Sequence, residues 1–99
     1  MNLEFVESYY RLYLSEEFES IADIKQLLNW ISGEFSLHLQ ENHDGLKVFY
    51  PNGCFHMKLK NESKLICDIV FLSRCRLTLN QKLNQLYSVI EHFKKSKRS

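Results

Sequence analysis

Glycine and proline are absent from Met1 to Ile31, then arrive close together as Gly33, Gly45, Pro51 and Gly53, and do not recur. These two residues are the strongest breaks in regular structure, so their crowding into one stretch divides the chain into three. The expected order is a helical first third, a compact set of strands, and a final helix.

In the first third, Leu3, Val6, Tyr10, Tyr13 and Leu14 recur at helical spacing, followed by Phe18, Ile21, Ile24, Leu28 and Ile31. Each set falls on one stripe of a helix. Ser15 or Ser20 can cap a second helix, and Ser20-Ile21-Ala22-Asp23 has the pattern of a capping box. One continuous helix is equally permitted, because nothing between the two sets breaks it. Gly33 is expected to end the helical region in the left-handed conformation.

The middle alternates with the period of a strand. Phe35, Leu37 and Leu39 lie on one face and Ser36, His38 and Gln40 on the other. Asp44-Gly45 and Pro51-Asn52-Gly53 are turns, since glycine reaches positive φ freely and proline pre-sets a first corner. Leu46, Val48 and Tyr50 continue the apolar face, then Phe55, Met57 and Leu59, then Leu65, Cys67, Ile69 and Phe71, with Cys75 and Leu77 able to prolong it. Asn61-Glu62-Ser63 matches a glycosylation acceptor but reads as turn chemistry. Short connections imply an antiparallel meander. Thr78-Leu79-Asn80-Gln81 is a capping box opening a helix. Its stripe is Leu79, Leu83, Leu86, Tyr87, Ile90 and Phe93.

The sequence therefore predicts one α+β domain. Residues 1–33 are helical (one helix or a helical hairpin), 34–78 form a four-stranded antiparallel meander, 79–95 the C-terminal helix and 96–99 a basic tail. At 99 residues, 44% hydrophobic and 13% aromatic, the chain has material for one core. A formal charge of +1 supplies no field to steer it towards nucleic acid or an anionic membrane. The three cysteines Cys54, Cys67 and Cys75 cannot all pair within one chain. Residues 1–30 hold neither a signal peptide nor a membrane span. Both features point to an intracellular, reducing setting, cytoplasm or nucleus.

Catalytic and metal chemistry find little support. Zinc sites use close Cys and His pairs, and Cys54-Phe55-His56 is followed by no second one. Cys67 is on the core face, where burial makes a thiol inert, and Cys54 is outward without a pocket. Phosphate loops, serine elbows and paired carboxylates are not found, so no enzyme, metal or cofactor is expected. Lys47, Lys58, Lys60, Arg74 and Arg76, interleaved with Phe49, His38 and His56, would allow base stacking on an open sheet. The RNA-recognition signature is missing, however, and nucleic acid is the minor reading.

Outward apolar residues weigh more. Phe49, Ile66, Val70 and Leu72 stand on the polar side of their strands, rimmed by His38, Lys47, His56 and Lys58. Either the N-terminal helix crosses this face and buries it, or the patch is a protein interface. A long N-terminal helix offers a second surface, for self-association.

Asp23-Ile24-Lys25-Gln26-Leu27-Leu28-Asn29-Trp30, Gly45-Leu46-Lys47-Val48-Phe49 and Ile69-Val70-Phe71-Leu72-Ser73 together resemble the RWD domains of kinetochore proteins, especially those ending outer-kinetochore scaffold proteins. The likeness spans about Leu3 to Phe93. It implies a non-catalytic docking domain that receives peptide or helical segments of other kinetochore subunits. The expected function is thus a protein-interaction module and assembly adaptor, with another protein as partner and no membrane. The alternatives are a bacterial or phage immunity or inhibitor protein that neutralises a cognate toxin or enzyme, and a single-stranded nucleic-acid binder.

Overall fold

The computed structural model describes residues 2–6, 8–61 and 65–98. The stretch expected to begin as helix begins as two strands, β1 (Asn2–Val6) and β2 (Tyr9–Glu17). They pair antiparallel, with Leu3 opposite Leu12 and Phe5 opposite Tyr10. The reason is a second periodicity in the same residues. Leu12 and Leu14 alternate with Arg11, Tyr13 and Ser15, and the aromatics here suit a pleated surface. Ser8 makes the turn at φ 71°, a left-handed conformation that glycine usually supplies.

Helix α1 (Ile21–Glu34) then follows the expected cap. Ser20 is extended, and its Oγ accepts the Asp23 backbone N–H at 3.1 Å. Ile24, Leu27 and Ile31 form its buried stripe. Gly33 does not end it in the left-handed conformation; the helix runs on to Glu34, and Gly45 is the glycine with positive φ. The freed carbonyls are met by Gln40 instead. Its Nε2 donates to Ser32 O at 2.9 Å and Phe35 O at 2.8 Å, while its Oε1 accepts from Ser32 Oγ at 2.6 Å.

The strand expected from Phe35 onward shrinks to β3 (Gln40–Glu41). Phe35 is buried in the turn after α1, edge-on to Phe55 at 5.1 Å, whereas Leu37 and Leu39 are 98% and 71% exposed. Their alternation mimics a strand, but they face solvent. The remaining strands match the expectation: β4 (Leu46–Tyr50), β5 (Gly53–Asn61) and β6 (Ile66–Ser73). Asp44 and Gly45, at φ 54° and 109°, form the first turn. Asn52 at φ 71° forms the second, as in a type II turn with proline at its first corner. Asn61 closes β5, while the expected turn residues Glu62 and Ser63 lie outside the described residues.

Helix α2 (Arg76–Arg98) starts ahead of the expected Thr78 cap and runs through the supposed tail. Cys75 O accepts the Leu79 N–H at 3.0 Å, so Cys75 holds the cap position and neither it nor Leu77 extends a strand. Leu79, Leu83, Leu86, Val89, Ile90 and Phe93 are buried; Tyr87, assigned to that stripe, is partly covered.

The fold is thus α+β, but among the described residues its antiparallel sheet has six strands, in the order β1-β2-β6-β5-β4-β3. The strand count differs from the expected four: β4, β5 and β6 lie side by side in chain order, the short β3 holds the edge beside β4, and the β1–β2 hairpin is added beside β6. The core lies between one sheet face and the helices, with Phe35, Phe55, Phe71 and Phe93 fully buried. Each such side chain contributes about 1.5–3 kcal/mol by leaving water.

Candidate interaction face

The opposite sheet face is built by the same alternation. Once Cys67, Ile69 and Phe71 point to the core, Ile66, Asp68, Val70 and Leu72 must point away. Pairing then fixes their neighbours across the strands. Leu72 lies between Arg11 of β2 and Cys54 of β5, and Cys54 is opposite Phe49 of β4. One rung on, Val70 lies between Tyr13 and His56, and His56 is opposite Lys47.

Phe49, Val70 and Leu72 therefore share one patch, with Lys47 and His56 beside them. Ile66 is on the same face but not in that patch, because Asp68, flanked by Ser15 and Lys58, separates it from Val70. His38 is not in the rim. It follows α1 on the helix side, its ring edge-on to Phe35 at 5.8 Å. Burial and Lys82 hold its pKa below the usual histidine value. His38 and His56 thus lie on opposite sides of the sheet. Arg76, expected on this face, opens α2.

The hairpin adds residues that a helical reading of residues 1–33 hid: Tyr9, Arg11 and Tyr13. The period-2 run from Tyr9 to Ser15 was the available signal. Arg11 is over the Tyr13 ring at 5.3 Å and reaches Glu4 at 3.9 Å. Lys58 meets Asp44 at 3.8 Å, and His56 Nε2 approaches Asp44 O at 3.1 Å. Such exposed pairs are worth little in stability, but they neutralise the cations involved.

At one end of the face is a depression of about 450 Å³. Tyr9 and Arg74 form one wall, Phe49 the other, and Cys54 and Leu72 the floor. Arg74 lies over the Tyr9 ring at 5.2 Å and donates Nε–H to the Tyr9 hydroxyl at 3.1 Å. Lys47 Nζ stands 5.1 Å above the Phe49 ring. Burial pushes the Cys54 thiol pKa up, against the pull of Lys47. The floor thiol is therefore neutral and apolar in character.

No described element crosses this face. Among the described residues, no helix is long and apolar enough to cross a membrane, and no three His, Cys, Asp or Glu side chains gather to hold a metal ion. No protein-family model matches this chain, and no curated protein does.

Proposed function

We propose that this chain is a non-catalytic protein-interaction module, an assembly adaptor that docks its partner on the open sheet face. The carrying observation is that both helices sit on one side. Phe49, Val70, Leu72 and Tyr13 then form an apolar and aromatic centre on the other side, under no described element. A contiguous patch with a charged rim is the anatomy of a partner site. The adaptor reading does not rest on the kinetochore resemblance, because the hairpin departs from its helix, four strands, helix order.

A second reading has its own observation. Three cations are stacked on rings, Arg11 on Tyr13, Lys47 on Phe49 and Arg74 on Tyr9, and such pairs suit base stacking as well. The face also carries Glu4, Glu17, Glu41 and Asp68, set among Arg11, Lys47, Lys58 and Arg74. A phosphate backbone crossing it meets carboxylates as often as cations. Balanced charge favours a protein partner.

The test is affinity purification from the native host with the wild-type chain and Val70→Glu, with unfolding of both followed in urea. The expected result is a folded variant whose partner recovery drops at least about tenfold, since a charge at the centre of a docking patch is desolvated without a counterpart. Unchanged recovery, or unfolding of Val70→Glu, defeats the proposal.

A further inference from the structure

The depression between Tyr9 and Phe49 differs from the rest of the face in its charges. Elsewhere the cations are engaged, Arg11 by Glu4 and Lys58 by Asp44. At this end Arg74 and Lys47 form no ion pair with a described carboxylate, and their partners are rings. The carboxylates Asp68 and Glu17 lie rungs away, towards Ile66, and Glu41, opposite Lys47 at the β3 edge, makes no ion pair with it.

Arg74 is also held in place from several directions. Its backbone N–H donates to Asn52 O at 2.7 Å, tying the end of β6 to the turn before β5. Tyr50 donates its hydroxyl to Leu72 O at 3.3 Å, two residues before Arg74. Gly53 allows this closeness, because a Cβ there would lie 2.2 Å from Leu72 O. The guanidinium spends Nε–H on Tyr9, and among the described residues its two terminal amino groups have no partner and remain for a ligand. A side chain already stacked and hydrogen-bonded loses little further freedom on binding.

We infer that this depression is the anchor of the docking face and takes a carboxylate-bearing peptide segment from the partner. An Asp or Glu side chain is bound by the free edge of the Arg74 guanidinium, with Lys47 adding charge above Phe49. An adjoining apolar side chain sits on Leu72 and Cys54 between the two rings. A guanidinium grips a carboxylate through paired hydrogen bonds, which a neutral amide cannot reproduce. The inference rests on the docking-face reading and specifies the chemistry of its partner.

The experiment is a heteronuclear NMR titration of the full chain with acetyl-leucyl-aspartyl-phenylalanine amide and, separately, its asparaginyl counterpart. The aspartyl peptide should shift the amides of Gly53, Cys54, Leu72 and Arg74 saturably, and bind roughly tenfold more tightly than the asparaginyl one. Arg74→Gln should keep a dispersed spectrum and erase the difference between the peptides, whereas Lys25→Gln, on α1, should leave it intact. Equal binding of both peptides, absence of binding, or shifts confined to other residues overturns the inference. Stronger shifts of the same amides by a ten-nucleotide oligothymidylate also overturn it. In the purification described above, partner recovery that survives Arg74→Gln but falls in Val70→Glu removes the anchor and leaves the docking face. Recovery unaffected by either removes both.

Discussion

Three cysteines in one small domain have three different chemistries, set by position. Cys67 is buried in β6, and burial, with Asp68 alongside, pushes its pKa up to about 11. Cys54, half-buried on the open face, is also raised. Cys75 moves the other way, because its sulfur receives hydrogen bonds from the Thr78 side chain and from the Thr78 and Leu77 backbone N–H groups at the start of α2. Since the thiolate is the nucleophile, alkylation of the folded chain near neutral pH should proceed in the order Cys75, Cys54, Cys67. Peptide mapping after timed iodoacetamide exposure checks this; Cys67 labelled ahead of Cys75 contradicts it. Alternation alone placed Cys67 inside and Cys54 outside. The role of Cys75 was hidden, because Thr78 with Gln81 is a better cap by composition than a cysteine.

Among the elements, the final helix and strands β4 to β6 were readable because packing and local pattern agree there. The first third was not. Leu3, Val6, Tyr10, Tyr13 and Leu14 fit a helical stripe, while Leu12 and Leu14 fit a strand, and the usual turn glycine was replaced by Ser8 at φ 71°. Two periods competed, and pairing with β6 decided between them, which no local pattern encodes. The same competition conceals Tyr9, Arg11 and Tyr13 as members of the open face. The end of α1 departs from its pattern for a similar reason: the group that meets its carbonyls is a side chain beyond the helix, Gln40, rather than Gly33. Gln40→Ala should leave Ser32 O and Phe35 O without their donor and lower stability by about 1–3 kcal/mol. Urea unfolding measures the loss, and Gln40→Glu, which keeps the acceptor but not the donor, should cost at least as much. A loss below about 0.5 kcal/mol would show that water replaces the amide.

For the whole molecule, the two-layer arrangement makes stability sensitive to alkali. Burial pushes Tyr50 from its ordinary 10.0 up to about 12, and Cys67 rises from 9.0 to about 11. Folded, both groups keep protons that the unfolded chain releases. Above pH 9 the unfolded state therefore binds fewer protons than the native state, and stability falls as pH rises. The contribution of Cys67 is complete below pH 9 and lost towards 11, followed by that of Tyr50 between about 10 and 12. Each group contributes a slope of about 1.4 kcal/mol per pH unit within its window. Urea midpoints should stay level around neutral pH and decline once pH passes about 9. Cys67→Ala should flatten the earlier part of that decline, relative to its own value at neutral pH.

The strand order has a further consequence, for the sequence of events in folding. Because α1 carries the chain from β2 across to the far edge, β2 pairs with a strand made much later: Tyr10 with Ser73, Glu17 with Ile66. The contacts within β3 to β6 are local and cheap to form, whereas the β2–β6 seam must close a long loop first. During synthesis the hairpin emerges early with Leu12 and Leu14 still uncovered, and it waits for β6 before its second edge is paired. A ribosome pausing between Asn61 and Ile66 prolongs that exposure, so the hairpin is where a nascent chain of this protein is most open to chaperone capture or aggregation.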